Sequence, residues 1–252
     1  MRTSRRHMTG SSGTPDFRAL ARTAMAGLEY YGIHPPFMEP EHRVLPQLVK
    51  GGDTALDIGA NVGAYTCQLS RLVGPSGRVV AFEPYPPSFA RLSALVRFLA
   101  LTNVTLRDVA ITDSRRTVRL APPRAAIGGT MHGFVHEATD RSNTDVEVAG
   151  RTLDEEVQEI GLPRISLIKC DVEGGEAAVI AGGHRTIQTD RPIVICEIEE
   201  RWAERYGQHQ LEVVERLREL GRYRVFAVLG SSLVPWKADR PRGGNLFFLP
   251  AP

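Results

Sequence analysis

Two short stretches of acids and glycines carry the chemistry legible in this sequence: Thr54 to Gly63, Thr-Ala-Leu-Asp-Ile-Gly-Ala-Asn-Val-Gly, and Ile165 to Gly174, Ile-Ser-Leu-Ile-Lys-Cys-Asp-Val-Glu-Gly. In the first, Thr54 to Ile58 has the apolar look of a buried strand, and Asn61 to Val73 has the spacing of an amphipathic helix. Gly59 permits a sharp turn between them, and Gly63 lets helix and strand pack closely. A dinucleotide-binding turn reads G-x-G-x-x-G and seats a pyrophosphate on the helix N-terminus; this one reads G-x-N-x-G, with Asp57 just before it. A carboxylate there repels pyrophosphate and suits a ligand carrying positive charge, such as an ammonium or sulfonium group. An ordinary βα turn capped by Asn61 would look similar, so the turn needs support from elsewhere in the chain.

The second stretch ends a buried strand in Asp171 and Glu173, followed by Gly174, Gly175 and Glu176. Ligands of open α/β sheets bind outside the carboxyl ends of the strands, so Asp171 and Glu173 are expected to face the crevice that Asp57 borders. Glu173 has structural alternatives, capping the following helix or pairing with Lys169. A third acid, Glu83, ends the strand Arg78 to Phe82 and precedes Pro84. In nucleotide-binding α/β folds an acid at that place holds a ribose diol, because one carboxylate accepts both hydroxyl protons. Asp108, near the end of a strand read as Asn103 to Ile111, suits an adenine amino group, although Thr112 and Asp113 could equally take the turn. The strand Pro192 to Cys196 again ends in an acid, Glu197.

The rest of the chain supplies the frame. With 252 residues, 42% hydrophobic and 24% charged, it can bury one substantial core. Residues 1–13 have the composition of a disordered tail, 14–50 of a helical cap, and 51–252 of the ligand-binding domain. In the cap, Phe17, Leu20, Ala21, Ala24, Leu28 and Tyr31 recur at helical spacing up to Gly32. The proline-stiffened stretch His34 to Glu41, which includes Glu39, leads into a short helix from Arg43 to Val49. Its acids either line a pocket or belong to a strap. Beyond the third strand the alternation breaks at 114–150: Thr117 to Leu120 and Asp145 to Val148 read as pairing edge strands around a long loop whose polar members include Thr130, His132 and His136. Thr152 to Glu155 fits a capping box, and a helix is expected from Gly174 through Ile187. Gln210 to Leu220 reads as a helix, with Tyr223 to Leu229 and Asn245 to Leu249 as a closing antiparallel pair.

A net charge of +2 does not imply nucleic acid, and the lack of a long apolar run argues against a membrane span and for a cytoplasmic chain. Cys67, Cys170 and Cys196 stand in apolar contexts, which favours reduced core thiols over a disulfide or a zinc site. The same carboxylates could bind a divalent ion, but no dedicated ligand cluster is visible.

With these residues in view, the chain resembles the FkbM-type methyltransferases. The resemblance rests on Phe37 to Glu41, Ala55 to Gly63, Val80 to Pro84, Val148 to Asp154, Leu167 to Gly174 with Glu176, Gly182, and Pro192 to Glu197. It implies a Rossmann-like class I fold: a mostly parallel seven-stranded sheet with helices on both faces and an antiparallel edge. It further implies S-adenosyl-L-methionine as cofactor and a small-molecule acceptor, methylated on oxygen in a natural product or sugar. Nitrogen methylation is the alternative within the class. A nicotinamide-dependent oxidoreductase or a non-catalytic nucleotide-binding module are the alternatives outside it, and the chain is expected to be a monomer or homodimer. By this resemblance Glu39, Asp57, Gly59, Ala60, Asn61, Gly63, Glu83, Pro84, Asp108, Val109 and Asp171 surround the cofactor. Asp171, Glu173 or His132 would act at the acceptor. The sequence departs from the family pattern at His184, and the loop 122–144 matches no pattern of the family.

Overall fold

A computed structural model describes residues 17–33, 39–120, 145–198, 211–237 and 244–251. Its centre is an eight-stranded sheet. Five strands run parallel: β1 (Thr54–Ile58), β2 (Arg78–Phe82), β3 (Val104–Arg107), β7 (Leu167–Cys170) and β8 (Ile193–Ile198). Three antiparallel strands close one edge: β9 (Tyr223–Leu229), β10 (Ser232–Pro235) and β11 (Gly244–Pro250). The expected pairing of β9 with β11 is present, and the sheet has one strand more than the seven expected. That strand is β10, which folds back on β9 in a hairpin turned by Gly230 at φ 65°.

Strand periodicity sorts the side chains onto two faces. Leu56, Ile58, Ile168, Cys170, Val194 and Cys196 pack with α5 (Leu153–Ile160), α6 (Glu176–Gly182), α7 (His184–Asp190) and α8 (Leu211–Gly221). On the opposite face Ala55, Leu167, Ile195 and Phe247 pack under α3 (Ala64–Val73) and the short helix α2 (Leu45–Leu48). Helices α1 (Phe17–Tyr30) and α4 (Pro86–Phe98) extend that layer around Ala26, Cys67, Leu92 and Leu95. The three cysteines are buried free thiols, as their contexts suggested.

A second, three-stranded sheet joins β4 (Ala110–Ile111), β5 (Arg116–Leu120) and β6 (Val146–Arg151). The anticipated antiparallel pair β5–β6 is present. The strand read as Asn103 to Ile111 is instead two. After Arg107 the chain leaves the main sheet, and Ala110–Ile111 pairs with β6. A buried carboxylate fixes this departure: Glu156 of α5 accepts from Arg107 at 2.7 Å and pairs with Arg151 at 2.9 Å. Helix α5 itself starts at the expected capping box, with Thr152 Oγ1 accepting from the Glu155 N–H and Glu155 Oε2 from the Thr152 N–H.

Three further boundaries differ from expectation. The helix read from Gly174 through Ile187 breaks into α6 and α7 at Gly183, beside Gly182, where a Cβ would stand 2.0 Å from the Thr112 carbonyl oxygen. Gly182 therefore lets the end of α6 pass close to the chain just after β4. Helix α3 begins at Ala64 rather than Asn61, because Asn61 (φ 49°) and Gly63 (φ 98°) are left-handed and form the turn. The stretch read as one helix from Arg43 to Val49 is a 3₁₀ turn, Pro40–Arg43, followed by α2. In α1 the inward residues are Ala26 and Glu29, whereas Ala21, Ala24 and Tyr31 are exposed. Of the other apolar residues at helical spacing, Leu28 is half-buried and the side chains of Phe17 and Leu20 lie outside the described residues; the helix turns the acid Glu29 inward where Ala21 and Ala24 face out.

Candidate active site

Two differently built regions meet at the carboxyl ends of β1, β2 and β7. The first is a polar seam on the α3 side of the sheet. Asp57 and Lys169 are register partners on adjacent parallel strands and point to the same face. Both are 1% exposed. Thr66 of α3 donates to Asp57 Oδ2 at 2.5 Å. Burial pushes the Asp57 carboxyl up to about 6, against the lowering effects of Thr66 and Lys169. Lys169 Nζ lies 3.1 Å from Asp171 Oδ2 and 4.8 Å from the centre of the Tyr65 ring. Burial alone would depress the Lys169 ammonium, but Asp171, Glu39 and Glu197 together hold it above the usual lysine range.

Tyr65 ties this ammonium to the segment before the first strand. Its hydroxyl donates to Glu39 Oε2 at 2.7 Å, and His42 stacks on its ring with centroids 4.2 Å apart. His42 Nδ1 in turn meets Gln68 Oε1 at 2.7 Å and Glu29 Oε2 at 3.3 Å, while Gln68 Nε2 donates to the His42 carbonyl. The neighbouring Glu41 is buried, and its carboxyl is raised chiefly by desolvation.

The second region is a cavity of about 280 Å³ on the other side of the strand ends. Ile58, Phe82, Pro84, Val109, Ile111 and Val172 give it apolar walls, and Thr112, Asp113 and Arg116 of the small sheet contribute a polar end. Gly59 and Gly174 also border it. Between the regions the β1–α3 turn passes so near the end of β7 that a Cβ on Gly59 (φ 83°) would stand 1.9 Å from the Asp171 carbonyl oxygen. The segment after β7 is held from below by Glu176, whose carboxylate accepts from the Val172 and Gly174 N–H groups at 2.9 to 3.2 Å. Burial pushes the Glu176 carboxyl up to about 7.

The structure thus brings most of the candidate residues together. Gly59, Pro84 and Val109 line the cavity. Glu83, 7% exposed, stands behind it, accepting from the Asn61 N–H at 2.7 Å and the Tyr85 N–H at 2.9 Å; burial raises it to about 7 against these two bonds. Ala60, Asn61 and Gly63 form the turn below. Asp57 lies beneath the crevice, bound to α3, whereas Asp171 is partly exposed and Glu39 exposed at the seam's outer end. Asp108 is exposed in the gap between β3 and β4, outside the cavity lining. Glu173 is buried with a left-handed backbone, φ 54°. Beside it, Asp171 pairs with Lys169 and Glu176 holds the loop. His132, with Thr130 and His136, lies outside the described residues. Among the described residues no group of three or more His, Cys, Asp or Glu side chains is arranged to hold a metal ion.

Sequence reasoning missed Tyr65, His42 and Lys169 as members of the site. Lys169 carried a usable signal: a lysine inside an otherwise apolar strand, two residues before an acid, shares a face with that acid and needs a buried partner. Tyr65 and His42 had no such signal, since their neighbourhood is made by packing between distant segments.

Residues 57–224 match the family described as Methyltransferase FkbM domain. The chain belongs to that family. Among curated relatives of this FkbM-family chain, the 2-O-methyltransferase NoeI of Sinorhizobium fredii is 30% identical over 162 residues, covering 60% of this chain and 65% of that protein. The hexuronic acid methyltransferase AglP of Haloferax volcanii is 28% identical over 154 residues, covering 61% of this chain and 59% of that protein. The chain therefore spans less than two thirds of the length of either relative. A crystal structure of methyltransferase FkbM from Methylobacillus flagellatus superposes with a TM-score of 0.53 at 13% identity, covering 91% of this chain and 59% of that one, and shares the fold.

Proposed function

We propose that this chain is an S-adenosyl-L-methionine-dependent methyltransferase that methylates a hydroxyl group of a small natural product or sugar. The observation that carries the reading is the meeting of an acid-rich seam and an apolar cavity at the same strand ends. The cofactor has matching halves, a flat adenosine and an amino-acid end bearing ammonium and sulfonium charges. The residues fit it: the apolar walls at Pro84 and Val109 suit an adenine face, and the absence of a side chain at Gly59 leaves the turn open to close backbone approach. Glu83 has each carboxylate oxygen committed to one backbone N–H, which orients it and leaves lone pairs for a ribose diol. The carboxylates of Asp57, Asp171 and Glu39 supply the negative field for the cationic end. NoeI is by name a 2-O-methyltransferase, which agrees with oxygen as the acceptor atom, and AglP is by name a hexuronic acid methyltransferase, which agrees with a sugar as acceptor.

Bound there, the cofactor would supply an activated methyl group for an acceptor oxygen, with a neutral thioether as the leaving group. The chain's own work is alignment and one proton transfer. Lys169 holds one oxygen of Asp171 and so fixes the direction of the other. The acceptor's hydroxyl proton passes to Asp171 or Glu173, both at the rigid end of β7, or to His132. The test is incubation of the protein with S-adenosylmethionine and a panel of uronic acids, oligosaccharides and hydroxylated macrolides, followed by mass spectrometry. A gain of one methyl group on a hydroxyl supports the reading; methylation confined to amines overturns the choice of acceptor atom. Asp171→Asn and Glu173→Gln then identify the base by loss of turnover with cofactor binding retained.

A further inference from the structure

Lys169 is more than one member of the seam. Among the described residues it is the one lysine or arginine that is buried, at 1% exposure. It is not there to satisfy a single partner. Its ammonium touches Asp171 and the Tyr65 face, and it lies within electrostatic reach of five carboxylates, those of Asp171, Glu39, Glu197, Glu41 and Asp57. A seam with that composition keeps a negative excess that Lys169 reduces by one unit. The cofactor and its demethylated product differ there by one charge, since transfer turns a sulfonium into a neutral thioether.

We propose that Lys169 is the charge counterweight of this site: it limits how strongly the seam prefers the sulfonium cofactor over the thioether product. The inference rests on the reading of the crevice as an S-adenosylmethionine site. A more negative seam would hold the cation more tightly and the product no better, and the field that favours the sulfonium also opposes its conversion into a neutral group. The buried ammonium trims that field while its contacts with Asp171 and Tyr65 keep the carboxylates in place. Lys169 therefore acts as a positioning and electrostatic residue, with no direct part in the bond changes.

The experiment is calorimetric titration of the full chain with S-adenosylmethionine and with S-adenosylhomocysteine, read as the ratio of the two Kd values. Lys169→Met is expected to shift the ratio in favour of S-adenosylmethionine by roughly tenfold, the size of one unit charge acting across a partly buried site. Asp171→Asn is expected to shift it in the opposite direction, the double variant to return it towards wild type, and Lys169→Arg to preserve it. If the single variants weaken both ligands equally and leave the ratio unchanged, Lys169 is merely structural and the proposal fails. If Lys169→Met does not fold, Lys169→Gln, which keeps a polar group beside Asp171 and removes the charge, is expected to shift the ratio in the same direction, and an unchanged ratio there overturns the proposal. Failure of the wild type to bind either ligand overturns the functional reading, and the inference with it, whereas binding with an invariant ratio overturns the inference alone.

Discussion

The seam and the cavity lie on opposite sides of the same strand ends, yet they are built by opposite means. The cavity has apolar walls, with Phe82, Pro84, Val109 and Val172 around about 280 Å³, and a polar end at Thr112, Asp113 and Arg116, which suits a flat group with a polar edge. The seam is filled with ionisable groups held by one another: Asp57 by Thr66, Asp171 by Lys169, and Glu39 by Tyr65. Its selectivity is one of charge. Alternation along β1 and β7 produces the contrast, because Leu56, Ile58, Ile168 and Cys170 enter the apolar core while Asp57 and Lys169 take the other face. A ligand recognised by both must be flat and apolar at one end and cationic at the other.

The largest expected effect comes from breaking the point where the two regions touch. Gly59→Ala places a methyl group 1.9 Å from the Asp171 carbonyl oxygen at a left-handed backbone position, so either the turn or the end of β7 must move. A destabilisation of about 3 kcal/mol or more is expected from such a clash, read as a lowered urea midpoint, together with loss of cofactor binding. Blocking the cavity alone gives the next effect. Ala178→Phe introduces a ring among the lining residues. It is expected to weaken S-adenosylhomocysteine at least roughly tenfold while changing stability by less than about 1 kcal/mol, since the ring fills existing space.

Acid–base behaviour separates the regions further. Asp57, raised to about 6, and Glu83 and Glu176, both raised to about 7, release their protons less readily folded than unfolded, where such carboxyls titrate near 4. Between roughly pH 4 and pH 7 the folded chain therefore binds more protons, and stability falls as pH rises through that window. Urea unfolding of the ligand-free protein is expected to give a higher unfolding free energy at pH 5.5 than at pH 8, by a few kcal/mol: about 1 kcal/mol from Asp57 and about 2 kcal/mol from each of Glu83 and Glu176. A cationic ligand favours the ionised seam, so stabilisation by S-adenosylmethionine is expected to be greater at pH 8. An equal or reversed trend would mean that the seam does not face the charge. The smallest effect belongs to Tyr65→Phe, which removes the bond to Glu39 and keeps the ring under Lys169. About 1 kcal/mol of stability is expected to be lost, with nucleotide-end binding unchanged.

What the sequence made legible follows from range of interaction. The Gly59 turn, the Thr152–Glu155 capping box and the acids ending β1, β2 and β7 are fixed by residues within a few positions of one another, and β5 and β6 each show their alternation locally although they pair across the long loop; all are found where expected. What stayed hidden depends on contacts between distant segments. The chain leaves the main sheet after Arg107 because Glu156 holds that arginine, 49 positions away. Helix α6 ends where Gly182 meets the Thr112 carbonyl. Tyr65 belongs to the site because a helix, the segment around Glu39 and His42, and a buried lysine converge on its ring. Membership in the FkbM family was legible because it depends on the ordered local stretches.

A crevice that receives adenosine on one side and a cation on the other must distinguish the methyl donor and its product from a dinucleotide. Calorimetric titration of the purified protein with S-adenosylmethionine, S-adenosylhomocysteine and NAD measures this. Saturable binding of the first two at one site per chain is expected, and none of NAD, whose pyrophosphate would face Asp57. Binding of NAD alone would contradict the reading of the seam, and no binding of either S-adenosyl compound would contradict the assignment of the site.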